Sequence, residues 1–143
     1  KSVKDLYPGF RYVDELYISI DAGDAETYKK VRGGNFDQVV KNVKWAVDVL
    51  QKDHVRCIDV AFVLQKNNYK SLPRFIEIMS DLDVQEVVVS ELHPWESMQL
   101  DYREHAVHLP THPEHGEFVD MLESLTDLSK THLPPLLHEL MNN

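Results

Sequence analysis

Cysteine occurs once in the 143 residues, as Cys57. A single thiol excludes an internal disulfide and any all-cysteine metal site built within the chain. It suits a reducing cytosol, so a cytoplasmic location is expected. No apolar run approaches the roughly 20 residues that a membrane-spanning helix needs, so no membrane partner is expected. Lys1–Phe10 is charged and interrupted by Pro8-Gly9, unlike a signal peptide. Positive charge is also short: 15 Lys and Arg stand against 24 Asp and Glu, a net charge of −9. Phosphate backbones are held by clustered Lys and Arg, so nucleic acid is not an expected partner. The five glycines form neither a GxGxxG fingerprint nor a P-loop.

What is present is an ordinary globular balance, 43% apolar and 27% charged, in a length that suits one domain with a real core. The charge is uneven. Residues 1–70 carry 12 basic and 10 acidic side chains, whereas residues 91–143 carry 2 and 10. An anionic ligand is better received by the first half. The acidic second half reads as solvated surface.

Residues 1–14 read as a connector with aromatic anchors Tyr7, Phe10 and Tyr12. Leu16–Asp21 reads as a strand, blurred in its alternation as expected for one covered on both faces. Asp24 can cap a short helix over Ala25–Val31, which Gly33-Gly34 ends. Asn35 and Gln38 form a capping-box pair before Phe36, Val39, Val40, Val43, Ala46, Val47 and Leu50, a single apolar stripe on a helix over 35–52. Cys57–Leu64 is a second strand, and Gln65–Tyr69 a polar loop. Ser71 caps a helix over 71–81 bearing Leu72, Phe75, Ile76 and Met79, and Val84–Leu92 is the third strand. Alternation of strand and helix at these spacings means parallel pairing with right-handed crossovers. Residues 93–113 read as a long loop. Residues 114–143 read as a C-terminal helical segment, with Thr111 and Glu114 as a capping box and Leu133–Met141 as an apolar tail.

Ligands of β/α proteins sit at the carboxyl ends of parallel strands. Ser19 and Asp21 end the first strand, and period two sends both to one face. Asp21 either meets a ligand there or only caps the next turn. Arg32 beside Gly33-Gly34 can hold a carboxylate through paired hydrogen bonds, or is a surface arginine favoured at a helix C-terminus. Gln65, Asn67 and Asn68 can read a ribose or adenine edge, or serve turn geometry alone. His105, His108, His112 and His115 crowd one loop, but Pro110 and Pro113 break any shared helical face, so no metal site is expected. Cys57 reads as a small buried residue rather than a nucleophile.

The string SIDAGDAETYKKVRGGNFDQVVKNV, Ser19 to Val43, closely resembles the fourth strand and following helix of radical S-adenosylmethionine (SAM) enzymes, in the branch with C-terminal SPASM extensions. FVLQKNNYKSLPRFIEIM resembles that family's next strand and helix. VVVSELHPW is similar to its sixth strand, which often ends near a Trp, here Trp95. HLPTHPEHGEFVDML resembles its approach to the SPASM region. The resemblance implies an α/β fold: the parallel βαβαβ half of a (β/α)6 partial TIM barrel plus C-terminal helices, over residues 15–92 and 114–143. It implies that Ser19 contacts the amino-acid part of SAM and Arg32 its carboxylate, with Asp21, Gln65 and Asn68 near the methionine or ribose. The family's CxxxCxxC cluster motif, its first three strands and its SPASM cysteines have no counterpart here. The expectation is therefore a fragment with part of the SAM wall, weak or vestigial SAM binding and no catalysis alone. The iron–sulfur cluster would belong to a full-length parent only. A non-catalytic binding or scaffold domain of the same fold is the alternative, and a different β/α-barrel enzyme using Arg32 on anionic metabolites is the third. A half-barrel that exposes apolar surface is also expected to form a homodimer.

Overall fold

In the computed structural model, residues 7–94, 102–125, 128 and 130–142 are described. Trp95 lies outside them. Four parallel strands form one sheet in sequential order, β1 Glu15–Ser19, β2 Cys57–Leu64, β3 Glu86–Glu91 and β4 Thr131–His132. This α/β arrangement is consistent with half of a partial barrel. Tyr17 pairs with Asp59 and Asp59 with Glu86; Ser19 pairs with Ala61 and Ala61 with Val88.

That register sorts the two faces. Ile58, Val60, Phe62, Leu64, Val87 and Val89 are buried. They join one core with α3 (Phe36–Trp45), the π-helical turn Ala46–Leu50 that continues it toward the short α4 (Gln51–Asp53), and α5 (Leu72–Asp81). Phe62 meets Phe75 with ring centroids 5.1 Å apart. Truncating so buried a ring to alanine costs about 3–5 kcal/mol. Phe118 and Leu122 of α7 (His115–Glu123) and Leu137 of α8 (Pro135–Met141) complete that core. The alternate residues, Tyr17, Ser19, Asp59, Val63, Val88 and Ser90, line the other face, where Tyr17 is 62% exposed.

α2 spans Ala25–Val31 with Asp24 as its cap, as the sequence indicates; the Asp24 carboxylate accepts the Thr27 amide at 2.8 Å. Other local expectations are corrected. Asn35 caps α3 by accepting the Gln38 amide, but the Gln38 side chain turns to Asn42 instead of closing the box. Ser71 stands at the N-cap of α5 without capping it, because its hydroxyl is engaged by Asn68 and Gly23. The loop after β3 holds a short helix, α6 (Tyr102–His105), and α7 starts after Glu114 with no side-chain cap, so Thr111 is not its cap. Tyr12 is 79% exposed, has the Arg11 guanidinium 4.9 Å from its ring centroid and is not part of the core, whereas Phe10, in the helical turn α1 (Tyr7–Phe10), packs against the core. β4 carries only two residues, too few for any period-two signal.

Candidate functional site

The carboxyl ends of β1 and β2 are joined by side chains rather than by ladder bonds alone. Beyond Ser19, the amides of Ile20 and Asp21 both approach the Ala61 carbonyl, at 3.0 and 3.4 Å. Asp21 then takes a φ of 58°, a left-handed conformation that non-glycine residues seldom adopt and that Asp tolerates better than most. The turn breaks the period-two alternation, so Ser19 stays exposed on the open face while Asp21 is 4% exposed. The expected shared face of the two side chains therefore does not form.

The Asp21 carboxylate has two partners. Oδ1 accepts the Val63 amide at 2.7 Å, and Oδ2 accepts from Arg32. Arg32 is the C-cap of α2, and its amide donates to the Tyr28 carbonyl at 2.9 Å. Its side chain reaches back to β1 and remains 40% exposed. Gly33 follows with φ 73°, the backbone state glycine permits, and lets the chain leave the helix there.

Asn68 is 2% exposed. Its Nδ2 donates to the carbonyls of Asp21 at 3.0 Å and Val63 at 2.9 Å, and its Oδ1 accepts the Gln65 amide at 2.8 Å. Both amide protons are thus used within the protein, and Asn68 ties the two strand ends together. Ser71 adds a second tie: its hydroxyl donates to the Asn68 carbonyl at 2.9 Å and accepts the Gly23 amide at 3.1 Å. Gln65 is half-buried and its carbonyl accepts the Asn68 and Tyr69 amides; Asn67 is exposed. Of the five residues singled out from sequence, Asp21, Arg32 and Asn68 come together in one network. Gln65 joins it through its backbone, and Ser19 lies beside it on the open face.

Sequence reasoning missed the contributions of Val63 and Gly23, because a backbone amide offers no side-chain signal, and that of Ser71, whose hydroxyl reads in the sequence as a helix cap. It also missed the row Tyr17–Asp59–Glu86 across the open face, visible only once the register is known. Partial burial, then the carboxylates of Asp59, Asp21 and Glu86, raise the Tyr17 phenol above its usual value. Near the amino ends of β2 and β3, a recess of about 450 Å³ is lined by Cys57, Asp59, Glu86, Lys130 and His132, among others. The Cys57 thiol is pushed up to about 11, by burial first and then by its 3.1 Å contacts with Asp59. It stays protonated at neutral pH and is a poor nucleophile.

The loop histidines take separate partners. His112 Nε2 meets the Glu104 carbonyl at 2.9 Å, His115 Nδ1 the Val107 carbonyl at 3.0 Å, and His108 Nε2 the Tyr102 hydroxyl at 3.2 Å. Among the described residues, no three His, Cys, Asp or Glu side chains are placed to hold a metal ion. No helix among them is long and apolar enough to cross a membrane.

Chain comparisons show similarity to archaeal proteins called probable GTP 3',8-cyclases. One from Saccharolobus islandicus (strain L.S.2.15 / Lassen #1) is 29% identical over 124 residues, 86% of this chain and 38% of its own length. One from Saccharolobus solfataricus (strain ATCC 35092 / DSM 1617 / JCM 11322 / P2) is 33% identical over 94 residues, 65% of this chain and 29% of its own. The chain thus spans less than two fifths of the curated relatives it matches. No family model and no solved structure matches it.

Proposed function

We propose that this chain is part of a radical SAM enzyme, carrying one wall of the SAM site at the carboxyl end of its parallel strands. The single observation that carries the reading is Arg32, a half-exposed guanidinium held by a buried carboxylate at the end of β1. The partial-length likeness to proteins named GTP 3',8-cyclase, which are radical SAM enzymes, supports the family resemblance of Ser19–Val43. The donor set suits SAM. A guanidinium carries five N–H donors and Asp21 engages one of its nitrogens, which leaves donors for a ligand carboxylate. Ser19 adds a hydroxyl on the open face, and the half-buried Gln65 a side-chain amide beside the same strand ends. We assign Asn68 to the frame of the site rather than to the ribose, since its polar atoms are already satisfied. SAM, when bound in such an enzyme, supplies the radical precursor; these residues bind and orient it.

The donor set does not suit an iron–sulfur cluster. One cysteine, protonated and tied to Asp59, cannot provide the thiolates that a cluster takes. We therefore propose that the chain alone does not cleave SAM and that catalysis belongs to a longer parent protein. The cyclisation of GTP named in the relatives is our proposal for that parent's reaction class.

Calorimetric titration with SAM tests the reading. We expect weak binding, with affinity lowered but still measurable in Arg32→Ala. Heat that Arg32→Ala leaves unchanged would remove Arg32 from the site, and no heat at millimolar SAM would reduce the likeness to shared fold.

A further inference from the structure

The two charged members of the site are unequal in access. Asp21 is 4% exposed and both of its carboxylate oxygens are engaged, one by a backbone amide of β2 and one by Arg32. Its carbonyl is held by Asn68, and its φ of 58° is maintained by those bonds against the ordinary preference of a non-glycine residue. A ligand reaching for Asp21 would have to displace a buried hydrogen bond. A ligand reaching for Arg32 would not, because that side chain is 40% exposed.

A flexible arginine binds an anion well only if its planar fork is already aimed, since freezing it at the moment of binding wastes affinity. The bonds around Asp21 supply that aim. The Asn68 amide fixes the Asp21 carbonyl and so the left-handed turn. The turn directs the carboxylate to Val63 and Arg32, and the carboxylate holds the guanidinium by one edge.

Resting on the reading that Arg32 takes the ligand's carboxylate, we propose that Asp21 is a positioning residue: locked by Asn68 and Val63, it orients the Arg32 guanidinium toward the ligand and touches no ligand itself. In the contrary electrostatic role, Asp21 merely neutralises Arg32 and weakens anion binding. The two roles predict opposite signs for the loss of the carboxylate charge.

The test uses Asp21→Asn, because Asn tolerates the left-handed backbone and can still accept the Val63 amide. Asp21→Gly, equally at ease with positive φ, is the second variant should the first misfold, and thermal melting confirms the fold of both. In SAM titrations we expect Asp21→Asn to bind about tenfold more weakly than wild type, with the effect vanishing in an Arg32→Ala background, the pattern of two residues acting through one contact. Tighter binding in Asp21→Asn would overturn the proposal in favour of neutralisation. A loss that persists without Arg32 would overturn it in favour of direct ligand contact. The Arg32 Nη–H resonances of nitrogen-15-labelled protein, recorded at low temperature and assigned by their absence in Arg32→Ala, give a readout that needs no SAM, since Nη2 is the atom that donates to Asp21. Slow solvent exchange in wild type that becomes fast in Asp21→Asn supports positioning even if SAM gives no heat, in which case the SAM reading falls and the positioning stands. Exchange unchanged by the substitution overturns the positioning whatever the titration shows.

Discussion

Burial sets the behaviour of individual polar side chains here, and His108 shows it most directly. It is 5% exposed, and burial holds its imidazole below the usual value near 6.5, against the opposite pull of the Glu91 carboxylate. A lowered folded value means that the unfolded chain binds the proton first as pH falls. Stability from this site is therefore fully present above about pH 6.5 and declines as pH falls below it. His54 runs the other way. The Phe10 carbonyl and then the Asp53 carboxylate raise its value, so its contribution is present at low pH and is lost as pH rises through the folded value. Thermal melting between pH 7 and pH 5 should show His108→Gln losing less stability on acidification than wild type, and His54→Gln losing more. Equal slopes in all three proteins would remove both assignments. The sequence shows a histidine-rich loop but not which ring is enclosed, because enclosure depends on the 102–115 segment folding over the end of β3. Arg32 and Asp21 were legible as residue types at a strand end; their pairing was not, since it depends on one positive φ.

At the scale of elements, the turns between strands and helices carry more of the design than the strands do. Gly23 and Gly33 lie ten residues apart and serve different needs. A Cβ on Gly23 would overlap the Ser71 carbonyl oxygen and come within 2.6 Å of the Phe75 nitrogen, backbone atoms of the N-cap and first turn of α5. Neither can swing aside as a side-chain tip could. A Cβ on Gly33 meets nothing within 4 Å, and only its φ of 73° resists substitution. Gly23→Ala should therefore cost about 3 kcal/mol or more, and Gly33→Ala about 1 kcal/mol, measured by denaturant unfolding. Equal costs would mean that the β1–α2 turn and the start of α5 are not in close contact. The same contrast explains what could be read in advance. Ala25–Val31 and Cys57–Leu64 match their expected bounds because a cap, a glycine stop and a run of β-formers are local signals. The seat of Gly23 against Ser71 and Phe75 joins residues some fifty positions apart, and β4 is too short to carry a pattern; both arise only when the chain closes.

For the molecule as a whole, the open face of the sheet decides what can approach it. An apolar half-barrel wall would favour self-association, the basis on which a homodimer was expected. The face found is different. Its row at the amino ends of the strands is Tyr17–Asp59–Glu86, with Glu15 one register step beyond Tyr17, and the exposed large apolar side chains among the described residues are Tyr12, Tyr17 and Leu136. Arg56 is taken by Glu15 at the edge. A two-fold pair built on this face would set the same patch against itself, as every isologous interface does. Carboxylates would then face carboxylates with little apolar area to offset their desolvation, and repulsion would be strongest at low ionic strength. Light scattering at micromolar concentration, pH 7 and low salt should accordingly give the monomer mass. Asp59→Asn combined with Glu86→Gln, which removes both charges from that row, should shift any weak association upward rather than downward. A dimer of wild type that persists at low salt, and that the double substitution weakens, would mean that these carboxylates bind a partner group across the face instead of repelling their own copies.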